Sequence, residues 1–123
     1  MDYGAFLERV ICEGIEGAKT DYSKPEDKLR LEGALRGFGE CRGKAPEELA
    51  RLLCAARIDM ARAFTDDAED YWYWKCREGE IEWVCNVLSA GIRMSIGGVN
   101  PTCRGVMKAG EILKTEGTLK VYG

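Results

Sequence analysis

The chain of 123 residues contains no histidine. Without an imidazole there is no histidine general base, no Ser-His or Cys-His pair and no histidine metal ligand, so many common catalytic arrangements are excluded. The sequence also lacks a basic leader followed by an apolar segment, and no apolar run reaches the roughly 18 to 20 residues of a bilayer span. We therefore expect a cytoplasmic protein that does not contact a membrane.

An excess of basic charge is absent as well. The net charge is −3, which excludes the strongly basic surface of a general nucleic-acid coat, and we expect no direct nucleic-acid binding. The charge is unevenly distributed, because residues 1–82 carry a net −6 and residues 83–123 a net +3. The carboxyl-terminal part is therefore better suited to an anionic ligand.

Six cysteines are present, but no two of them have the Cys-x-x-Cys spacing. Structural zinc sites usually have closely spaced ligands, so we expect neither a metal site nor another cofactor. Scattered cysteines are typical of small apolar core residues in a reducing compartment. They are Cys12, Cys41, Cys54, Cys76, Cys85 and Cys103.

The helical spacing of apolar residues predicts an all-α fold, a single domain of about five helices over residues 1–123. A chain of 13.7 kDa should have a folded surface of about 6,600 Å². The predicted helices are 3–18, 25–43, 46–65, 68–94 and 100–113, and residues 118–122 are expected to form a short strand or a docked tail.

Two further predictions concern helix packing. Gly33 and Gly37 lie four residues apart in the second helix, where each glycine costs about 1 kcal/mol, so we expect another backbone to approach closely there. In the third helix, the predicted buried stripe consists of Leu49, Leu52, Leu53, Ala56, Met60, Ala63 and Phe64.

The densest feature is a run of four aromatic residues, Tyr71 to Trp74, near the start of the fourth helix. Successive residues lie about 100° apart around a helix, so the four cannot all face one core. Some of them must reach an interface, such as a seam between identical subunits, a ligand pocket or solvent. In the ligand alternative, Trp72 and Trp74 stack on a planar group and Arg77 supplies charge.

Glu78 lies within the apolar stripe of the same helix, where an unpaired charge is costly. An ion pair with Arg57 on the preceding helix is our preferred interpretation. In the alternative, Glu78 and Glu82 share one helix face and act as a pair of acids.

A second candidate site begins at Asn100-Pro101, which has the pattern of a helix start. The free N–H groups of such a start, together with Thr102, Arg104 and Lys108, suit a phosphate or a carboxylate. The alternative is simply a capped helix after a glycine-containing loop.

Several strings of the sequence have a counterpart in one known group of proteins. They are Glu13-Gly14-Ile15-Glu16, Gly37-Phe38-x-x-Cys41-Arg42-Gly43, Asp70 to Trp74, Glu82 to Val87, and Pro101-Thr102-x-Arg104-Gly105-Val106-x-Lys108-Ala109. With these strings the chain resembles a family of small phage and prophage proteins without an assigned function. The resemblance implies no catalytic residues, but it implies a phage accessory protein that counters host defence by binding.

These features give three functional hypotheses. In the first, a helical homo-oligomer sequesters an anionic nucleotide signal of the host. In the second, the protein inhibits a host defence complex by protein interaction, as anti-CRISPR proteins do, and its acidic part imitates nucleic acid. The third and weakest is a small enzyme that uses Glu78 and Glu82. The ligand-binding residues predicted for the first hypothesis are Trp72, Trp74, Arg77, Thr102, Arg104 and Lys108.

Overall fold

The computed structural model describes residues 1–97 and 105–120, and within them the chain forms five α-helices and no strand. The helices are α1 (Tyr3–Asp21), α2 (Lys28–Cys41), α3 (Pro46–Thr65), α4 (Tyr71–Ser95) and α5 (Val106–Glu116), and a short 3-10 helix, Pro25–Asp27, precedes α2. The all-α fold predicted from the apolar spacing is confirmed.

The longest helix, α4, is the centre of the bundle and packs against each of the other four. Its buried residues Ile81, Val84, Val87 and Leu88 belong to the same apolar core as the buried face of α1. Helix α1 approaches α4 closely because Gly91 has no side chain, and the ring of Phe6 occupies the space where a Cβ would lie. The core therefore surrounds α4 and holds its first turns in a defined position.

Helices α2 and α4 are in backbone contact at the two glycines that the sequence singles out. A Cβ on Gly33 would collide with the carbonyl oxygen of Tyr73, and a Cβ on Gly37 would lie 2.8 Å from the carbonyl oxygen of Arg77. The predicted close approach is thus present. It holds the aromatic run and Arg77 directly against α2.

Helix α3 lies at the edge of the bundle and packs mainly against α4. Its residues Leu49, Ala56 and Ala63 are buried, whereas Ile58 and Phe64 are 54% and 70% exposed. The prediction that Phe64 is buried is wrong, because the last turn of α3 has only the first turn of α4 beside it. The total surface is 7340 Å², larger than the roughly 6,600 Å² expected for this mass.

The start of α5 differs from the prediction. The helix begins at Val106, directly after Gly105, whose φ of 82° lies in the left-handed region. A Cβ on Gly105 would come within 2.8 Å of the backbone of Val87, so this glycine lets the chain cross α4 closely. The predicted helix start at Asn100-Pro101 lies outside the described residues.

The chain ends meet, as one of the two alternatives for the tail predicts. The Met1 ammonium group donates a hydrogen bond of 2.7 Å to the carbonyl of Thr118, and the Lys120 N–H donates one of 2.8 Å to the carbonyl of Met1. Leu119 between them is buried. Residues 118–120 are therefore a docked tail.

The cysteines only partly follow the prediction of core packing. Cys41 and Cys76 are buried and Cys85 is half-buried, but Cys12 and Cys54 are exposed. These two lie on exposed faces of α1 and α3. Cys103 lies outside the described residues. None of the described helices combines the length and the apolar content that a bilayer crossing requires.

Candidate functional site

The aromatic run at the start of α4 divides into an enclosed part and an exposed part. Tyr73 and Trp74 are half-buried, and the Arg36 guanidinium lies 5.8 and 5.2 Å from their ring centroids. Arg36 Nη1 also donates a hydrogen bond of 3.0 Å to the Tyr73 hydroxyl. Helix α2 therefore covers these two rings with a cation, and Trp74 is not an open stacking surface.

Trp72 is the exposed member of the run, with 49% of its surface accessible. The Arg30 guanidinium lies 4.5 Å from its ring centroid, and Leu29, beside Arg30, is 42% exposed. We call Leu29, Arg30 and Trp72 the tryptophan patch. Because a cation stacked on an indole restricts both side chains, the patch is a preformed surface.

Acidic residues are close to the tryptophan patch along the chain. Arg30 forms an ion pair of 3.2 Å with Asp27, so the charge of the patch itself is compensated. Exposed carboxylates then precede both of its segments along the chain. They are Glu26 before Leu29, and Glu69 and Asp70 before Trp72.

Arg77, a predicted ligand residue, is only 4% exposed. Its Nε and Nη2 donate hydrogen bonds of 2.6 and 3.1 Å to Glu40, and its Nη1 donates one of 2.9 Å to Asp59. The hydrogen bonds that Arg77 donates to Glu40, and to a smaller extent to Asp59, outweigh the effect of burial and raise the pKa of the guanidinium. Arg77 of α4 thus links α2 and α3 through Glu40 and Asp59, which occupy its hydrogen-bond donors.

The preferred interpretation of Glu78 agrees with the geometry. Glu78 is buried, and its Oε1 lies 3.5 Å from Arg57 Nε. Lys75 Nζ lies 3.6 Å from its other oxygen, and Arg57 also pairs with Glu82 at 3.6 Å. Two cations therefore compensate the buried carboxylate, which is the arrangement of a structural ion pair.

Lys108 lies far from the aromatic run. Its Nζ pairs with Glu111 at 2.9 Å and with Glu13 at 3.6 Å, and Glu111 is the main cause of its raised pKa. Three residues earlier, Gly105 packs on α4 at Asn86, and this level is about 20 Å from Trp72 along the helix axis. The structure therefore does not bring Lys108 to Trp72 and Trp74. Thr102 and Arg104 lie outside the described residues.

A second surface runs along α3 and α4, and we call it the α3/α4 face. At one end is an apolar trough of about 360 Å³, where Leu49 and Leu53 of α3 meet Leu88 and Ile92 of α4. Arg93 is the charged member of its lining, and no described acidic side chain pairs with Arg93. At the other end of the α3/α4 face, the exposed Phe64 ring lies 5.8 Å from Tyr71.

Sequence reasoning missed four residues that define these surfaces. Arg30 carried no signal, because a single arginine on a charged helix is ordinary. Asp59 and Glu40 each lie about one helical turn from the apolar stripe of their own helix. That position could have identified them as partners of a buried cation such as Arg77. Phe64 could have been recognised as the last residue of an apolar stripe that extends beyond the end of the neighbouring helix.

The described residues contain no group of three or more His, Cys, Asp or Glu side chains that could hold a metal ion. Comparison of the chain with protein-family models, with curated proteins and with solved structures gives no match.

Proposed function

We propose that the protein acts by binding a second protein that has a basic surface, and that the tryptophan patch is the centre of the contact. The observation that carries the proposal is the half-exposed Trp72 with the Arg30 guanidinium 4.5 Å from its ring. Tryptophan and arginine are the residues most enriched among those that dominate protein–protein binding energy. An apolar centre with a polar rim is also the usual anatomy of such an interface.

The charge around the patch favours a basic partner. Glu26, Glu69 and Asp70 are exposed and lie within three residues of Leu29 or Trp72 in the chain, and residues 1–82 together carry a net −6. A negative field of this kind accelerates encounter with a positive surface and disfavours negative ones. The resemblance to phage and prophage proteins extends the proposal: the partner is then a host defence protein whose basic groove receives nucleic acid.

A nucleotide ligand is less well supported by the same geometry. Arg77 already bonds to two carboxylates. Lys108 pairs with two others and follows Gly105, which packs on α4 about 20 Å from Trp72 along the helix axis. The exposed carboxylates at the patch would also repel a phosphate. Nucleotide binding is therefore the alternative result that the following test can detect.

The test compares Trp72→Ala with Met107→Ala, since Met107 is an exposed apolar side chain far from the patch. Proteins captured from a bacterial lysate by the unsubstituted chain are identified, purified and titrated in a calorimeter. We expect a stoichiometric complex that Trp72→Ala weakens by about 30-fold or more and Met107→Ala leaves unchanged. Raising NaCl from about 0.1 to about 0.5 M should weaken it as well.

Two results would contradict the proposal. One is a purified partner protein to which Trp72→Ala and Met107→Ala bind with equal affinity. The other is heat from cyclic or ADP-ribose-type nucleotides that disappears in Trp72→Ala while no purified protein binds, which would restore the nucleotide hypothesis.

A further inference from the structure

We propose that the protein forms a symmetric dimer through the α3/α4 face, in which each copy inserts Phe64 into the apolar trough of the other. This inference does not depend on the proposed function, although the exposed Glu69 and Asp70 precede Trp72 in the chain and adjoin both the tryptophan patch and the α3/α4 face. It accounts for two features of the described residues together: an open apolar trough between α3 and α4 and a phenyl ring that is 70% exposed.

The spacing along α3 fits a two-fold axis at the level of Arg57. Phe64 lies seven residues after Arg57. Ala50, which lines the trough, lies seven residues before Arg57. Each of the two is therefore about 10 Å from the level of Arg57 along the helix axis. A rotation about an axis across α3 and α4 reverses their direction and exchanges the two ends of the α3/α4 face. Phe64 of one copy then meets the trough beside the partner subunit's Ala50, and the reverse contact forms at the same time.

All of these positions lie on one side of α3. Residues spaced by three, four or seven positions lie on the same face of a helix. The positions concerned have these spacings along α3: Pro46, Ala50, Leu53, Arg57 and Phe64. Pro46, Ala50 and Leu53 line the trough, while Arg57 reaches α4 and Phe64 contacts the first residue of α4. The exposed ring and the trough therefore belong to the same surface, as a two-fold contact requires.

Charge selects the antiparallel arrangement over the parallel one. Arg93 at the trough and the carboxylates of the loop between α3 and α4 lie roughly 15 to 20 Å from the level of Arg57, on opposite sides of it. In the antiparallel dimer, Arg93 faces the partner's exposed Glu69 and Asp70. In a parallel dimer each acidic loop would face the other, and the like charges would oppose association.

The experiment measures molar mass by light scattering and the dissociation constant by sedimentation. We expect about twice the 13.7 kDa of one chain at micromolar concentration. Ala50→Trp fills the trough and should raise the dissociation constant at least about 100-fold, whereas Ala55→Trp, on the exposed outer side of the same helix, should not. Both alanines are exposed, so the circular dichroism melting curves should show both variants folded.

Orientation is tested by exchanging charges. Arg93→Glu should weaken the dimer, and adding Glu69→Arg and Asp70→Arg in the same chain should restore it. A mass of one chain at about 1 mM would overturn the proposal, as would equal dimerisation of the two tryptophan variants. Failure of the charge exchange to restore association would overturn the antiparallel arrangement. Ala50→Trp and Ala55→Trp leave the tryptophan patch and its acidic neighbours unchanged, so binding of the purified partner by these two variants distinguishes failure of the dimer from failure of partner binding.

Discussion

At the scale of single residues, Arg77 shows how strongly context decides the role of a charge. Its position beside two tryptophans suggests a surface cation, yet its guanidinium is 4% exposed and donates to Glu40 and Asp59. The three nitrogen atoms of the guanidinium all donate hydrogen bonds in one plane, so the group can bond to carboxylates of two helices at the same time. Arg77 therefore contributes to the structure by holding α2 and α3 on α4.

Glu40→Gln should destabilise the fold, because it leaves the buried Arg77 cation with Asp59 alone. We expect the free energy of unfolding in urea to fall by about 2 kcal/mol, less than for a fully buried pair because Glu40 remains partly exposed. Glu32→Gln is the matched control, since Glu32 forms an exposed pair with Lys28 at 4.0 Å, and its effect should be below about 0.5 kcal/mol. Equal losses in the two variants would contradict the structural role of the Arg77 cluster.

At the scale of helices, the contact between α2 and α4 determines the shape of the aromatic end of the bundle. Gly33 touches the backbone of Tyr73, and Gly37 touches that of Arg77. The missing side chains allow α2 to approach closely enough for Arg30 and Arg36 to lie over the rings of α4. Two glycines, unfavourable in a helix by themselves, thus position the candidate site.

Gly33→Ala should therefore be destabilising, although alanine is the better helix former. The new methyl group meets a backbone carbonyl that cannot move without displacing α4, and we expect a loss of about 2 kcal/mol. Gly39→Ala in the same helix meets no other atom within 4 Å and should gain about 0.5 to 1 kcal/mol. Thermal melting followed by circular dichroism distinguishes them; a stabilised Gly33→Ala would show that the helices are farther apart.

At the scale of the whole molecule, stability should depend on pH through Glu80. Burial, and secondarily Asp21, raises the pKa of Glu80 from 4.5 to about 7. Between these values the folded protein retains a proton that the unfolded chain has released, so the free energy of unfolding decreases as pH rises from about 5 to about 8. After allowance for residual solvent contact, we expect a decrease of about 1 to 2 kcal/mol.

The measurement is urea unfolding under reducing conditions at about pH 5, pH 6.5 and pH 8. Glu80→Gln cannot release the proton, so its stability should be nearly constant over this range. Glu69→Gln, at an exposed position, should retain the dependence of the unsubstituted chain. A Glu80→Gln variant that still loses stability toward pH 8 would assign the effect to another group.

The whole-molecule view also explains why the predicted ligand residues are only partly gathered. Trp72, Trp74 and Arg77 are neighbours on one helix, so their proximity is local and readable from the sequence. The position of Lys108 is set by α5, which starts after Gly105, and Gly105 packs on α4 about 20 Å from Trp72 along the helix axis. A basic carboxyl-terminal segment in the sequence therefore does not imply a basic site beside the tryptophans.

The sequence by itself determined the all-α fold of about five helices, the close backbone approach at Gly33 and Gly37, without the identity of the approaching helix, and the Arg57–Glu78 pair. These features depend on helical periodicity, on turn residues and on the cost of a buried charge, which act over a few residues or on one helix face. Only the tertiary structure decided that Arg77 is enclosed, that Phe64 is exposed and that Arg30 lies over Trp72. Each of these depends on which helix lies beside which, and on where one helix ends relative to its neighbour.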